Sequence, residues 1–476
     1  MSSTAPRVAI IGSGISGLAA AHALEGQAEV TLFEAGHYFG GHTHTVDITL
    51  PTAQGQLTHG VDTGFLVFNE RTYPELIRLF AELGVATARS DMSFSVKAPH
   101  ALAESAIHEA TSAGANGRQR RAAPSKASPL GGQRSTQSDE RGGNTLEWSG
   151  SSLNSVFAQR RNLVSWKFLR MLRDIVRFNR VTTALATSGA EAAMVQPLAD
   201  FLRAQNFSDE FRDWYFLPMM GCIWSCPLDQ MLQFPVSTMI RFCHNHGLIQ
   251  IADRPQWWTV RGGARHYVEK IVERIADKRL NTPVHRVERD ARGAVRVATD
   301  RGTEIFDKVI LAAHSDQSLA LLGDASAAER AVLGAVRYQP NRAVLHTDAS
   351  VLPRKKLAWA AWNYERAAHN GRESSGVCLH YLLNLLQPLP FTQPVLVSLN
   401  PSREIERKHI MGEYDYMHPV FDLAAIRAQK ELPALQGLNN RFFCGAWTGY
   451  GFHEDGLKSG LQAARHLLAQ HAGSSA

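Results

Sequence analysis

Three glycines near the start of the chain, in Gly12-Ser13-Gly14-Ile15-Ser16-Gly17, have the spacing that lets backbone N–H groups meet a phosphate. Gly12 permits a tight turn, Gly14 lets a pyrophosphate approach the main chain, and Gly17 lets a helix lie close to the preceding strand. Glu34, followed by Ala35, comes 22 positions after Gly12. A carboxylate there can accept hydrogen bonds from both hydroxyls of an adenosine ribose, and its charge disfavours a phosphorylated ribose. Gly40-Gly41-His42-Thr43 then places a second tight turn against the same crevice, with a hydroxyl on Thr43 and a donor on His42. The plainer readings are an ordinary strand–helix turn and a surface carboxylate. NAD and FAD satisfy the first motif equally well.

A second group of residues suggests a substrate wall. Met220-Gly221-Cys222-Ile223-Trp224-Ser225-Cys226-Pro227 is an unusual apolar stretch, and Phe234, Met239, Phe242, His244 and Asn245 could extend it. Trp224 is the candidate substrate contact, against the alternative of a packed core indole. Near the end, Trp447, Tyr450 and Phe452 lead into His453, whose ordinary pKa suits an acid or base near neutrality. Capping or solvent exposure is the structural alternative for His453. His314 is a further polar candidate. No Ser/His/Asp set and no catalytic carboxylate pair is apparent. The five cysteines are widely spaced, and no second pair completes a zinc site with Cys222 and Cys226, so no metal is expected.

Particular elements must position these groups. Arg7–Ile11 reads as a strand, residues 18–24 as a helix and residues 28–33 as the next strand, a βαβ opening that nucleates a parallel sheet. Helical spacing recurs over 72–83, 162–179, 197–203, 209–220 and 264–276. Strands are expected at 43–50, 293–299 and 304–312. Short strands between 341 and 410 suit an antiparallel sheet. A strand at 441–444 precedes a last helix from about 456 to 468.

The chain has 476 residues, 44% hydrophobic and 20% charged, which suits an enzyme of two or three domains. It contains no apolar run long enough to span a bilayer and no signal peptide pattern, so a cytoplasmic protein is expected, with a peripheral membrane contact left open. The formal charge is +6. Part of it lies in 98–144, where Arg118, Arg120, Arg121, Lys126, Arg134 and Arg141 face only Asp139 and Glu140 between residues 118 and 141. That composition predicts a flexible basic insertion. Nucleic acid is not expected as a partner, because no aromatic-interleaved basic platform accompanies the charge.

With its dinucleotide turn, Glu34 and glycine pair, the chain resembles the flavin-containing amine oxidoreductase superfamily of amine oxidases, protoporphyrinogen oxidases and carotenoid desaturases, and a bacterial FAD-dependent branch of it. Further strings carry the likeness: Asp62-Thr63-Gly64-Phe65, residues 257–263, Trp362-Asn363-Tyr364, Cys444-Gly445-Ala446 and residues 454–460. The resemblance implies FAD, a backbone contact from Val284 to the adenine end, and N–H groups of Gly456 and Leu457 facing the flavin, beside Gly445. It also implies an aromatic at the flavin face, for which Tyr450 is the candidate. Other members have arginine after the glycine pair where this chain has His42, which leaves a covalent flavin link open. Many amine oxidases hold a water with a lysine, and neither Lys355 nor Lys356 can be assigned that role.

The expected fold is α/β: a Rossmann-like FAD-binding domain (1–84, 255–335 and 436–470) interrupted by an α+β substrate domain with an antiparallel sheet (145–254 and 336–435). The expected activity is hydride removal from a small organic or lipid-like substrate, leaning toward an apolar or isoprenoid chain with C–C desaturation. Oxygen, a quinone or another group is the final acceptor. The alternatives are an amine oxidase releasing peroxide and a flavin-binding protein without turnover.

Overall fold

The computed structural model describes residues 5–100, 145–194, 196–224, 228–250, 254–366 and 377–474. Most of the expected basic insertion, residues 101–144, lies outside them.

The opening strand Arg7–Ile11 sits at the centre of a five-stranded parallel sheet. Its neighbours are Glu29–Phe33 and Lys308–Leu311, with Asp277–Arg279 and Arg441–Phe443 on the edges. A central parallel strand is covered on both faces, which explains its near-continuous apolar run. Val8 and Ile10 face a layer containing the helix Ile15–Ala23 and the last helix, His453–Ser474. Ala9 and Ile11 face the small antiparallel sheet Val284–Arg289, Val295–Thr299 and Gly302–Phe306, together with Leu322, Val332 and Leu432. The single strand expected over 304–312 is two strands. Asp307 separates them and accepts the N–H of Arg7 at 2.8 Å.

A seven-stranded sheet lies beyond, in the order 410–420, 337–346, 396–399, 378–382, 362–365, 94–99 and 145–149. All pairings are antiparallel except that of Trp362–Glu365 with Phe94–Pro99. Ala98 and Pro99, expected in the insertion, instead complete a strand that pairs with Thr145–Ser149. One face of this sheet packs on helices Trp166–Ser188, Leu198–Ala204 and Val236–Asn245. The helix expected over 209–220 continues to Trp224 and widens into a π turn at Arg212–Phe216. Pro218, just beyond, has no N–H to donate and its ring crowds the preceding turn, a known cause of such widening.

Residues 211–250 carry many large apolar groups, and these are interior: Phe211, Trp214, Phe216, Met220, Phe234, Met239 and Phe242 are all buried. Among the described residues no helix is long and apolar enough to cross a membrane.

Candidate active site

The glycine turn works by close approach. Gly12 has φ +102°, and a Cβ on it would stand 2.8 Å from the carbonyl oxygen of Ala312. A Cβ on Gly17 would lie 1.9 Å from the Gly12 oxygen, so only glycine lets the helix meet the strand here. Gly14 differs, because a Cβ there meets nothing within 4 Å. It caps the helix Ile15–Ala23 with no side-chain hydrogen bond, and Gly14, Ile15 and Ser16 form one wall of a cavity of about 740 Å³. The first-turn N–H groups lack i−4 partners by helix geometry and carry the positive end of the dipole.

Glu34 ends the next strand on the same cavity. One carboxylate oxygen accepts the Ser13 N–H at 3.0 Å and the Ser13 hydroxyl at 2.5 Å, and the other accepts the Gly36 N–H at 2.8 Å. Ser13 is thus buried under Glu34 and ties the first glycine turn to the second, since its carbonyl accepts the Gly40 N–H at 3.1 Å. A Cβ on Gly41 would lie 3.2 Å from the Gly14 Cα. Ala35, Gly40, Gly41 and Val284 line the cavity beside this cradle.

Further along, the cavity is walled by histidine and tyrosine. His42 lies 4.9 Å, ring to ring, from Tyr416 and 5.7 Å from His418, and His314 stacks on Tyr338 at 4.4 Å. Burial first, and neighbouring imidazoles second, push His42 down to about 3 and His418 to about 4. Burial also lowers His314. These rings are neutral near pH 7. His42 Nε2 is buried without a hydrogen-bond partner among the described residues.

Trp224, Phe242, Tyr450 and Phe452 line the other end. Trp224 packs 4.6 Å from Phe242, and its indole N–H donates to the Tyr450 carbonyl at 3.3 Å. Phe242 and Phe452 stack at 5.0 Å.

Residues 15–344 match the family model for flavin containing amine oxidoreductases. The chain belongs to this family. No curated protein matches the sequence. Solved structures share the fold across nearly their whole length. A CLA-producing fatty acid isomerase from P. acnes is 16% identical with TM-score 0.59, covering 96% of this chain and 97% of that one. Cyclohexylamine oxidase from Brevibacterium oxydans IH-35A is 16% identical with TM-score 0.61, and putrescine oxidase bound to putrescine is 15% identical with TM-score 0.61. Each of the last two matches covers 98% of this chain and 99% of the other.

This amine oxidoreductase family member is therefore an enzyme of the FAD-dependent oxidoreductase class, and its membership implies FAD. The cavity fits that cofactor on three counts: the room for close approach at Gly14, the uncovered helix start at residue 15, and the orphaned His42 nitrogen. An unpaired buried nitrogen is uncommon in a folded protein and calls for a ligand or water.

Three expected residues stand elsewhere. Gly456 and Leu457 do not line the cavity, because the last helix begins at His453, one turn earlier than its glycines suggested. The Gly456 N–H is already donated to the Phe452 carbonyl at 3.1 Å, so the uncovered first-turn N–H groups belong to residues 453–455. Gly456 serves packing, since a Cβ there would strike Ile15 at 2.7 Å. The Thr43 hydroxyl turns inward, bonded to the Tyr267 hydroxyl, with His453 Nε2 at 3.4 Å. His453 reaches the wall, but its ring stacks on Phe65 at 3.9 Å and its Nε2 lies 2.7 Å from Tyr267. Burial pushes it down to about 3. Of the rest, Gly445 and Ser16 line the cavity.

Sequence reasoning missed Tyr416, His418, Tyr338, Tyr381 and Met92, all on the wall. For Tyr416 and His418 the signal was a period of two in the strand Ile410–Val420, where Tyr414, Tyr416 and His418 share one face. No lysine is among the described lining residues. Cys222 lines the cavity, while Cys226 lies outside the described residues. Away from the cavity, Glu365, Cys378 and His380 gather ligand-type atoms. The Glu365 carboxylate is answered there by Lys97 at 2.7 Å and His380 at 3.1 Å, a hydrogen-bonded ion-pair network.

Glu34→Ala is expected to weaken FAD binding by about 2–3 kcal/mol, the scale of lost hydrogen bonds to a charged group. Equilibrium dialysis of the flavin measures it, and unchanged retention removes Glu34 from the site.

Proposed function

We propose that this enzyme removes a hydride from a carbon of an apolar organic molecule that enters uncharged, with hydrophobic amines as the leading substrate class. The observation that carries the reading is the wall around Trp224, Phe242, Trp257, Tyr381 and Leu399, which is apolar and aromatic. Glu34, in the glycine cradle, is the one carboxylate among the described lining residues. An ammonium ion would lose its hydration there with no counter-charge, at a cost of several kcal/mol. A neutral amine or a hydrocarbon would not. Bound FAD supplies the hydride acceptor.

The chain's own residues position and exclude. Trp224, Phe242 and Phe452 keep water from the reacting carbon, and Tyr450 borders the ring end. His42, His314 and His418 present neutral imidazoles that neither attract an anion nor protonate a substrate. His453 holds the Phe65 and Tyr267 rings in place, and the helix start beneath it favours negative charge on the cofactor. Val284 and Ala35 belong to the adenine end.

The family, and the fold shared with two proteins named for amine substrates, support amines over the chain desaturation to which the sequence leaned. Desaturation of a lipid-like chain is the second reading, favoured by the same apolar wall and the fold shared with a fatty acid isomerase. The deciding experiment is anaerobic reduction of flavin-loaded protein by cyclic and linear amines and by acyl chains, with products identified by mass spectrometry. Bleaching by amines supports the first reading. Bleaching by acyl chains alone replaces it with the second, and bleaching by neither leaves a flavin-binding protein without turnover.

Trp224→Leu is expected to raise KM for the accepted substrate roughly tenfold and to leave kcat within about a factor of three, because an apolar wall binds ground and transition states alike. Steady-state kinetics separate the two constants. A fall in kcat with KM unchanged contradicts the wall role.

A further inference from the structure

The segment 151–190 holds seven lysines and arginines (Arg160, Arg161, Lys167, Arg170, Arg173, Arg177 and Arg180) and one acid, Asp174. The acid is turned inward, fully buried, and accepts the Ser208 N–H at 3.0 Å. The helix Trp166–Ser188 buries Phe168, Met171, Phe178 and Thr182 against the core. Its other face carries Lys167, Arg170, Arg173, Arg177 and Arg180, as suits a helix that meets water. The helix and the turn before it also expose large apolar groups: Val164 is 86% exposed, Trp166 72%, Val176 55% and Leu163 51%. Scattered exposed apolar residues need no explanation, but a tryptophan with valine and leucine at one helix start is a patch.

From this combination we infer that the start of the helix Trp166–Ser188 docks on an anionic lipid bilayer. An apolar tip rimmed by cations is what an interfacial helix uses: the apolar side chains enter the headgroup region while the cations meet lipid phosphates. Tryptophan is favoured at that depth because its ring is apolar and its N–H is polar. The charge argues for a lipid surface, since a second copy of this chain would bring the same cations against each other. This helix also packs on Val236–Asn245, which contributes Phe242 to the cavity wall. Docking rests on exposure and charge alone, so it holds whether amines or acyl chains are oxidised.

The experiment uses the full-length, flavin-loaded protein in flotation with vesicles of phosphatidylcholine, with and without phosphatidylglycerol. Binding is expected to rise with the anionic fraction and to fall at high salt, where screening shortens the reach of the cations. V164E/W166E is expected to reduce partitioning at least tenfold, with flavin content, far-ultraviolet dichroism and turnover of a water-soluble substrate unchanged. Trp166→Phe keeps binding but removes the fluorescence quenching that brominated acyl chains cause in the parent protein. Equal binding by parent and V164E/W166E overturns the inference, as does failure of the parent to float. A dimer in solution that V164E/W166E dissociates also overturns it, and assigns the patch to a second copy. Loss of binding on deletion of 101–144, with V164E/W166E still bound, moves the site to that segment.

Discussion

Gly14→Val is expected to yield a folded protein that purifies without colour, while Gly17→Ala is expected not to accumulate as a folded protein at all. The two glycines lie three residues apart in one motif, yet their surroundings oppose each other. A Cβ at Gly14 meets nothing within 4 Å beyond its chain neighbours, and the residue is extended at φ −62° and ψ 176°, which valine tolerates. Its branches would fill the space that a diphosphate must enter at the helix start. Loss of that approach is expected to reduce FAD affinity at least a thousandfold, about 4 kcal/mol. The melting temperature of the apoprotein should stay within a few degrees of the parent's. At Gly17 the added methyl lies 1.9 Å from the Gly12 oxygen, a backbone atom that cannot move without dragging the first strand. Overpacking against rigid backbone costs about 3 kcal/mol or more. Flavin absorbance and thermal melts of both variants test the pair. A yellow Gly14→Val protein would falsify the placement of the diphosphate.

Between pH 7 and pH 5 the protein is expected to lose several kcal/mol of stability, with buried histidines as the cause. Burial pushes His42 and His453 down to about 3, and His246, His346 and His418 to about 4. The unfolded chain takes up these protons as the pH falls through about 6.5, whereas the folded protein refuses them until pH 3–4. The stabilisation is complete above pH 6.5 and is lost as the pH falls below it. Each group well below its unfolded pKa contributes about 1.4 kcal/mol per pH unit. Two carboxyls oppose the trend. Burial raises Asp62 and Asp455 to about 6, so the folded protein binds their protons first and gains stability between pH 6 and 4. Two such groups do not offset five. Urea unfolding at pH 7.5, 6.5 and 5.5 should show the midpoint falling steeply. His346→Gln, remote from the cavity and bonded to the Ser398 hydroxyl at 2.7 Å, should flatten the slope by roughly one third, since the two carboxyls already cancel about two of the five histidines. A flat stability profile would mean that these rings are solvated.

The glycine-turn end of the cavity was legible because its requirements are local. Gly12, Gly14 and Gly17 act through backbone conformation and close approach, and Glu34 through its place at a strand end. Those requirements leave a pattern within about thirty residues. The far half was not. The resemblance implied Gly456 as a donor to the flavin, but Asp455 reaches back to accept the N–H groups of Tyr450 and Phe452, each at 3.0 Å, and the helix begins at His453. Trp224 was picked out by its unusual neighbours and Tyr450 by the resemblance, 226 residues apart, with nothing to say that they touch.

Glycine spacing and strand–helix alternation were enough by themselves to determine a dinucleotide cradle, because a phosphate needs the same main-chain geometry wherever it binds; the flavin and the family came from the resemblance carried by the glycine pair and the later motifs. Tertiary structure alone decided the rest. It set a row of tyrosine and histidine from Ile410–Val420 across from His42, buried the apolar 211–250 region, and left the basic face of Trp166–Ser188 outside. The reason is that side-chain periodicity tells which residues share a face, but only the packing of distant elements determines whether that face meets core, cavity or water.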